Sequence, residues 1–326
     1  MAELIGVRRR LLGALSGSQR RRWRTLTLMN VVRTVPSNGI DIAYETFGER
    51  SDVPVLLVMG LSGQMVAWDD EFCAMLAARG HFVIRFDNRD IGLSTHLDDA
   101  APGNPVSAFL GRRPEYLIED MARDAAGLVE QLDVGGVHVV GVSMGGCISQ
   151  ALALGHPELV RSLTSMSSST GSRRVGHPRL DVAAKLLLRK PAKNRDEAIA
   201  LSESMFRKIG SPGYPFDVER LRRLAGLAYD RRYDPAGAAR QFAAILGSPD
   251  RTAALADVAV PTMVMHGEAD PLIGVSGGRA TATAIPDSRL VTFPGMGHDI
   301  PEPLWPRFVD EISGIVDAGE ARRAAA

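Results

Sequence analysis

Ser143 lies in the run Gly141-Val142-Ser143-Met144-Gly145, which fits the pattern G-x-S-x-G. A serine hydroxyl is a weak nucleophile at neutral pH and needs a general base to take its proton. The chain has seven histidines. His298, in Gly295-Met296-Gly297-His298, follows the last strand-like run, so a loop can carry its imidazole over Ser143. His81, His138 and His266 fall at or within strand-like runs, where a structural partner is enough. His96, His156 and His177 lie in loops or at a helix end, without a supporting motif. The base in turn needs a carboxylate to fix its tautomer and stabilise the imidazolium. Asp270, in His266-Gly267-Glu268-Ala269-Asp270-Pro271, follows a strand end on the same side. Glu268 and Asp299 are alternatives. Glu268 is closer to the strand end, and Asp299 adjoins the base, which makes an aligned contact with its Nδ1 harder. Ser143, Asp270 and His298 together would carry out acyl transfer.

A tetrahedral intermediate also needs donors aimed at its oxyanion. The backbone N–H of Met144, next after the serine, is one candidate. The other is Leu61 N–H, in Met59-Gly60-Leu61-Ser62-Gly63, where Gly60 permits the backbone to turn. The plainer reading of these glycines is an ordinary strand-to-helix turn. That segment is not G-x-G-x-x-G, which argues against a dinucleotide-dependent hydride transfer. Cys73 and Cys147 form no C-x-x-C or Cys/His ligand spacing, so neither a metal nor an organic cofactor is expected.

These residues need elements to hold them. Strand-like runs cover 31–34, 40–46, 54–59, 81–86, 137–142, 159–166, 262–266 and 289–293. Ser37-Asn38-Gly39 between the first two signals a hairpin. Helical spacing covers 68–79, 116–132, 144–154 and 305–318. This alternation predicts an α/β fold with a mostly parallel central sheet flanked by helices. Within 170–256 no buried strand is legible, but helical stretches cover 181–189, 196–209, 217–231 and 236–246. The expected organisation is a core of 31–169 and 257–320 with a helical cap at 170–256. Residues 1–30 read as a basic, flexible arm.

Lys+Arg and Asp+Glu balance at 38 each, yet the charge is uneven. Residues 1–34 carry +7, residues 170–251 carry +8, and the rest about −15. The basic arm or cap could make weak contact with a membrane surface; the plainer reading is a solvated helical face. The basic cap could also favour anionic substrates. Two isolated cysteines fit a reducing compartment, so a cytoplasmic protein is expected, with membrane association as the alternative. No apolar run reaches the roughly 18–20 residues of a membrane span. Nothing points to a nucleic-acid partner, and a small-molecule ester or lipid is the expected one.

Five segments carry a family resemblance: Val58-Met59-Gly60, Phe86-Asp87-Asn88-Arg89-Asp90-Ile91-Gly92-Leu93-Ser94, Gly141 to Gly146, His266 to Pro271, and Gly297-His298. As a set they resemble the α/β-hydrolase superfamily over about residues 35–318. The chain is similar to actinobacterial lipase/esterases of the mycobacterial Lip type and to anthracycline methylesterases. The resemblance implies carboxylic ester hydrolysis through an acyl-enzyme, with Ser143, Asp270 and His298 as triad and Leu61 and Met144 as oxyanion donors. Met59 stands where many relatives have histidine. The resemblance gives Arg89 and Asp90 structural hydrogen bonds rather than a catalytic part. The same triad serves thioesterases and C–C bond hydrolases, and the motifs separate these poorly. A non-catalytic ligand receptor on this scaffold is the reading from another class; a decayed triad would support it, and all three members are present.

Overall fold

Short apolar runs become strands here because both faces of the sheet are covered, as a computed structural model shows for residues 31–188 and 190–325. Its eight strands are β1 (Arg33–Ser37), β2 (Ile40–Phe47), β3 (Val53–Val58), β4 (His81–Phe86), β5 (Val137–Val142), β6 (Val160–Met166), β7 (Thr262–Gly267) and β8 (Arg289–Phe293). They form one sheet in the order β1-β2-β4-β3-β5-β6-β7-β8. β2 is antiparallel to both β1 and β4, and β3 to β8 are mutually parallel. This is the mostly parallel α/β sheet expected. Along β3, Leu56 and Val58 join one apolar cluster while Val55 and Leu57 join the other. Successive strand residues face opposite sides, so a strand covered on both faces is apolar throughout.

The helices are α1 (Asp70–Ala78), α2 (Pro105–Phe109), α3 (Ile118–Leu132), α4 (Met144–Gly155), α5 (Leu180–Leu187), α6 (Arg195–Ile209), α7 (Val218–Arg231), α8 (Pro235–Gly247), α9 (Ser276–Ala284) and α10 (Trp305–Ala325). α3 and α4 pack on one face of the sheet, through Met121, Leu128, Ile148 and Leu152. α1 and α10 pack on the other, through Phe72, Leu76, Phe308 and Ile312.

The hairpin signal holds: Asn38 has φ 48° and Gly39 φ 80°, as a type I′ turn requires. β1 lies further along the chain than the run 31–34 and includes Pro36. A proline is tolerated because β1 is an edge strand, where one missing donor breaks no inner ladder. Two helices were not legible. α2 has only five residues. α9 buries Gly277, Gly278 and Thr281, so it has no apolar stripe to read. α10 runs beyond residue 318, to Ala325.

Between β6 and β7 the chain forms α5 to α8, with no strand among the described residues of 170–256. Asn194, Asp217 and Asp234 cap α6, α7 and α8, each accepting from a first-turn N–H at 2.9 Å. The positive charge of this insertion meets acids on the core. Arg220 pairs with Asp69, Arg231 with Asp87, Arg232 with Asp98 and Arg240 with Asp90. Within the insertion Arg195 pairs with Asp230, and Arg207 and Arg222 share Glu203. Four of the insertion's cations thus serve to dock it on the core. The arginine-rich stretch 1–30 lies outside the described residues. No helix among the described residues is long and apolar enough to cross a membrane.

Candidate active site

β5 ends at Val142, and the chain turns sharply into α4 through Ser143, at φ 59° and ψ −122°. Positive φ is costly for a residue with a Cβ, so the surroundings must hold it there. They do so on both sides. Ser143 N–H donates to Met166 O at 2.8 Å, and Ser168 Oγ donates to Ser143 O at 2.8 Å. The two motif glycines are required by contact. A Cβ on Gly141 would sit 2.1 Å from Gly145 O, and one on Gly145 would sit 2.1 Å from Val58 O. Both obstacles are backbone and cannot swing aside. Gly145→Ala is therefore expected to destabilise the fold by about 1–3 kcal/mol, read as a lower thermal midpoint. An unchanged midpoint would mean that the turn has room to spare.

His298 lies above this turn. Its Nε2 is 3.0 Å from Ser143 Oγ, and its Nδ1 is 2.7 Å from Asp270 Oδ2. A carboxylate only accepts, so Nδ1 carries the proton and Nε2 accepts from the serine hydroxyl. The other oxygen, Asp270 Oδ1, accepts from the N–H groups of Leu272 and Ile273, both at 2.9 Å. Asp270 is buried, and these bonds fix its plane. The structure thus brings Ser143, His298 and Asp270 into one hydrogen-bonded row at the C-terminal ends of β5, β7 and β8.

The alternative acids lie elsewhere. Glu268 accepts from Thr292 Oγ1 at 2.7 Å on the exposed side. Asp299 accepts from Ser211 Oγ. Three other histidines have structural partners: His81 with Ser313, His138 with Ser162 and Glu320, and His266 with Ile273 O. Burial pushes all three imidazoles below their ordinary pKa, which keeps them neutral. Cys147 is packed beside Ser168, and burial pushes the Cys73 thiol up to about 12, so Cys73 stays a thiol.

The loop after β3 abuts the serine: a Cβ on Gly60 would lie 3.0 Å from Ser143 Cβ and 3.5 Å from its Oγ. In that loop Ser62 N–H is occupied by Gln241 Oε1 at 2.9 Å, which places Leu61 N–H between an occupied donor and the glycine facing Ser143. Met144 N–H stands at the first residue of α4, where the helix dipole favours negative charge. The Met59 side chain is buried in the core beneath.

Sequence reasoning missed how the insertion grips the loops beside the site. Asp87, fully buried, accepts from Met65 N–H at 2.7 Å, from Leu93 N–H at 2.9 Å and from Arg231. Asp90, also fully buried, takes a two-pronged pair from Arg240 at 2.7 and 2.8 Å. Gln64 Nε2 donates to Ala228 O and Arg232 O, and Gln241 Nε2 to Arg89 O. Arg89 pairs with Asp124, so the structural reading of Arg89 and Asp90 is right. His96, which carried no motif, binds Asp234 at 2.6 Å. Asp90, His96 and Asp234 bring ligand atoms within 4.8 Å of one another, a spacing that could hold a metal. The Arg240 guanidinium already supplies the positive charge there, since both Asp90 oxygens bond to it. Asp90 and Arg240 are 150 residues apart, beyond the reach of any local pattern.

Comparison with known proteins adds a family. A profile described as alpha/beta hydrolase fold matches residues 53–302. The chain is 31% identical over 301 residues to rhodomycin D methylesterase DauP from Streptomyces sp. (strain C5), covering 83% of this chain and 95% of that protein. It is 30% identical, at the same coverage, to rhodomycin D methylesterase DnrP from Streptomyces peucetius. Among solved structures, the esterase RhEst1 from Rhodococcus sp. ECU1013 superposes with a TM-score of 0.68 at 21% identity, covering 88% of this chain and 98% of that one.

Proposed function

The chain belongs to the alpha/beta hydrolase fold family, and from that premise we propose that it is a serine carboxylesterase. Ser143 Oγ attacks the acyl carbon of an ester while His298 Nε2 takes its proton. Leu61 and Met144 N–H groups hold the oxyanion. The intermediate collapses, His298 returns the proton to the departing alcohol, and an acyl-Ser143 remains. A water molecule, deprotonated by His298, then attacks the acyl carbon and releases the acid and the free serine. His298 carries each proton in turn, so this cycle calls on no metal or organic cofactor.

The observation that carries the reading is the unbroken row from Ser143 through His298 to Asp270. Asp270→Asn tests it. The amide keeps the shape but offers Nδ1 a donor as readily as an acceptor, so the imidazole loses its enforced tautomer. Turnover of p-nitrophenyl acetate is expected to fall by about 10⁴-fold. Turnover within tenfold of wild type would assign the acid elsewhere.

The relatives support a narrower substrate class. Two proteins named as methylesterases align over 95% of their length. Methyl esters of a larger carboxylic acid are therefore the favoured substrates, with the inserted helices of 170–256 acting as a cap that shapes the acid pocket. The test is an ester series in which the acid is fixed and the alcohol lengthens from methyl to octyl. We expect kcat/KM to be highest for the short alcohols. A maximum at octyl would make the enzyme lipase-like instead.

A further inference from the structure

The loop that carries His298 is held by the insertion as well as by the sheet. Beyond the end of α6, residues 209–213 run alongside residues 295–299. His298 N–H donates to Ile209 O at 2.7 Å, and Gly213 N–H donates to Gly295 O at 2.9 Å. Between these two bonds lies Ser211, itself buried. Its Oγ accepts from Gly297 N–H at 2.9 Å and donates to Asp299 Oδ1. One hydroxyl thus ties together the two residues that flank His298 in the chain.

The approach is close enough to dictate residue type. A Cβ on Gly297 would lie 2.3 Å from Gly210 O, and one on Gly295 would lie 2.9 Å from Gly213 Cα. Gly295 also has φ 71°, a conformation glycine adopts freely. Both glycines of Gly295-Met296-Gly297-His298 are thus explained by the passage of the insertion. Burial pushes the Asp299 carboxyl up, and the Ser211 hydroxyl opposes this by favouring the charged form.

We propose that Ser211 and Asp299 are positioning residues that make the alignment of His298 with Ser143 depend on the seating of the insertion. The proposal rests on the reading of Ser143 and His298 as nucleophile and base. Neither Ser211 nor Asp299 touches the reacting atoms. They fix the backbone on either side of His298, and with it the direction in which the imidazole leaves the chain. A misplacement of about 1 Å in a reacting group lowers turnover about 100-fold.

The experiment compares wild type, Ser211→Ala, Ser211→Thr and Asp299→Asn on p-nitrophenyl acetate. Reactive sites are counted with a fluorophosphonate, so that turnover is expressed per titrated site. In Ser211→Ala, turnover per site should fall about 10–100-fold while KM stays within about twofold. Ser211→Thr, which keeps the hydroxyl, should recover most of the loss. Asp299→Asn, which still accepts from Ser211, should lose less, about threefold to tenfold, and it serves as the second variant if Ser211→Ala does not fold. An unchanged turnover per site in Ser211→Ala, with only a lower thermal midpoint or fewer titratable sites, overturns the proposal. So does unchanged turnover per site in Asp299→Asn where Ser211→Ala does not fold. Failure of wild type to react with the fluorophosphonate overturns the Ser143 reading, and this proposal with it.

Discussion

Ser143→Ala is expected to abolish ester hydrolysis and fluorophosphonate labelling together while leaving the fold intact. The Ser143 side chain makes its hydrogen bond to His298, whereas its backbone N–H and C=O hold the turn. Alanine keeps those backbone bonds and meets no new obstacle, so the thermal midpoint should stay within a few degrees. The proposed chemistry runs through this one nucleophile. In a serine hydrolase of this type, loss of the nucleophile lowers kcat by about 10⁶-fold. In the proposed mechanism the three residues act as a unit, so adding Asp270→Asn to Ser143→Ala should lower activity no further. Hydrolysis by Ser143→Ala at the wild-type rate would place the nucleophile elsewhere.

Arg240→Met is expected to cause a large loss of stability. Arg240 is 3% exposed and Asp90 is fully buried. Burial alone would push the Asp90 carboxyl up. The Arg240 guanidinium and Leu97 N–H outweigh it and hold the carboxyl below its ordinary value. Methionine fills much of the same volume but leaves a buried charge without its partner, which costs about 3–5 kcal/mol. Arg240→Lys keeps the charge and loses the two-pronged geometry, so it should fall between the two. The pH dependence has a definite sign. In the wild type a depressed carboxyl contributes stability that is full above the unfolded value, about 3.9, and is lost as pH falls through the folded value. In Arg240→Met the unpaired Asp90 titrates higher, and protonation relieves the penalty. The gap in urea midpoint between wild type and variant should therefore narrow as pH falls from 7 towards 4. A gap that is constant or widens on acidification would mean that Asp90 is not the group left unpaired.

The parts of the site that could be read from sequence are those whose cause is local. Gly141-Val142-Ser143-Met144-Gly145 announces itself because the contacts that demand each glycine lie within the strand–turn–helix unit and the strand beside it. His298 and Asp270 were legible because each follows an apolar run that could only be a strand. The sheet followed from strands apolar on both faces. What escaped has no local signature. α9 presents glycine and threonine to the core, so its helical period is invisible. Arg231, Arg240 and Gln241 look like ordinary polar positions on amphipathic helices until the fold shows what lies beneath them. The charge count of the insertion left a solvated face and an anionic partner both open, and in the structure four of those cations meet the core's own acids.

The pairing of Asp87 with Arg231 and of Asp90 with Arg240 sets a clock during synthesis. The two aspartates precede their partners by 144 and 150 residues. At about 5–20 residues per second, a ribosome needs about 7–30 s to make that length of chain. Throughout that interval the β4 loop carries two carboxylates that the native fold buries, with no cation to receive them. The first five strands can pair as they emerge, but this loop must remain open to water until α7 and α8 have left the ribosome. The half of the molecule that bears Ser143 is therefore made well before the helices that close over it.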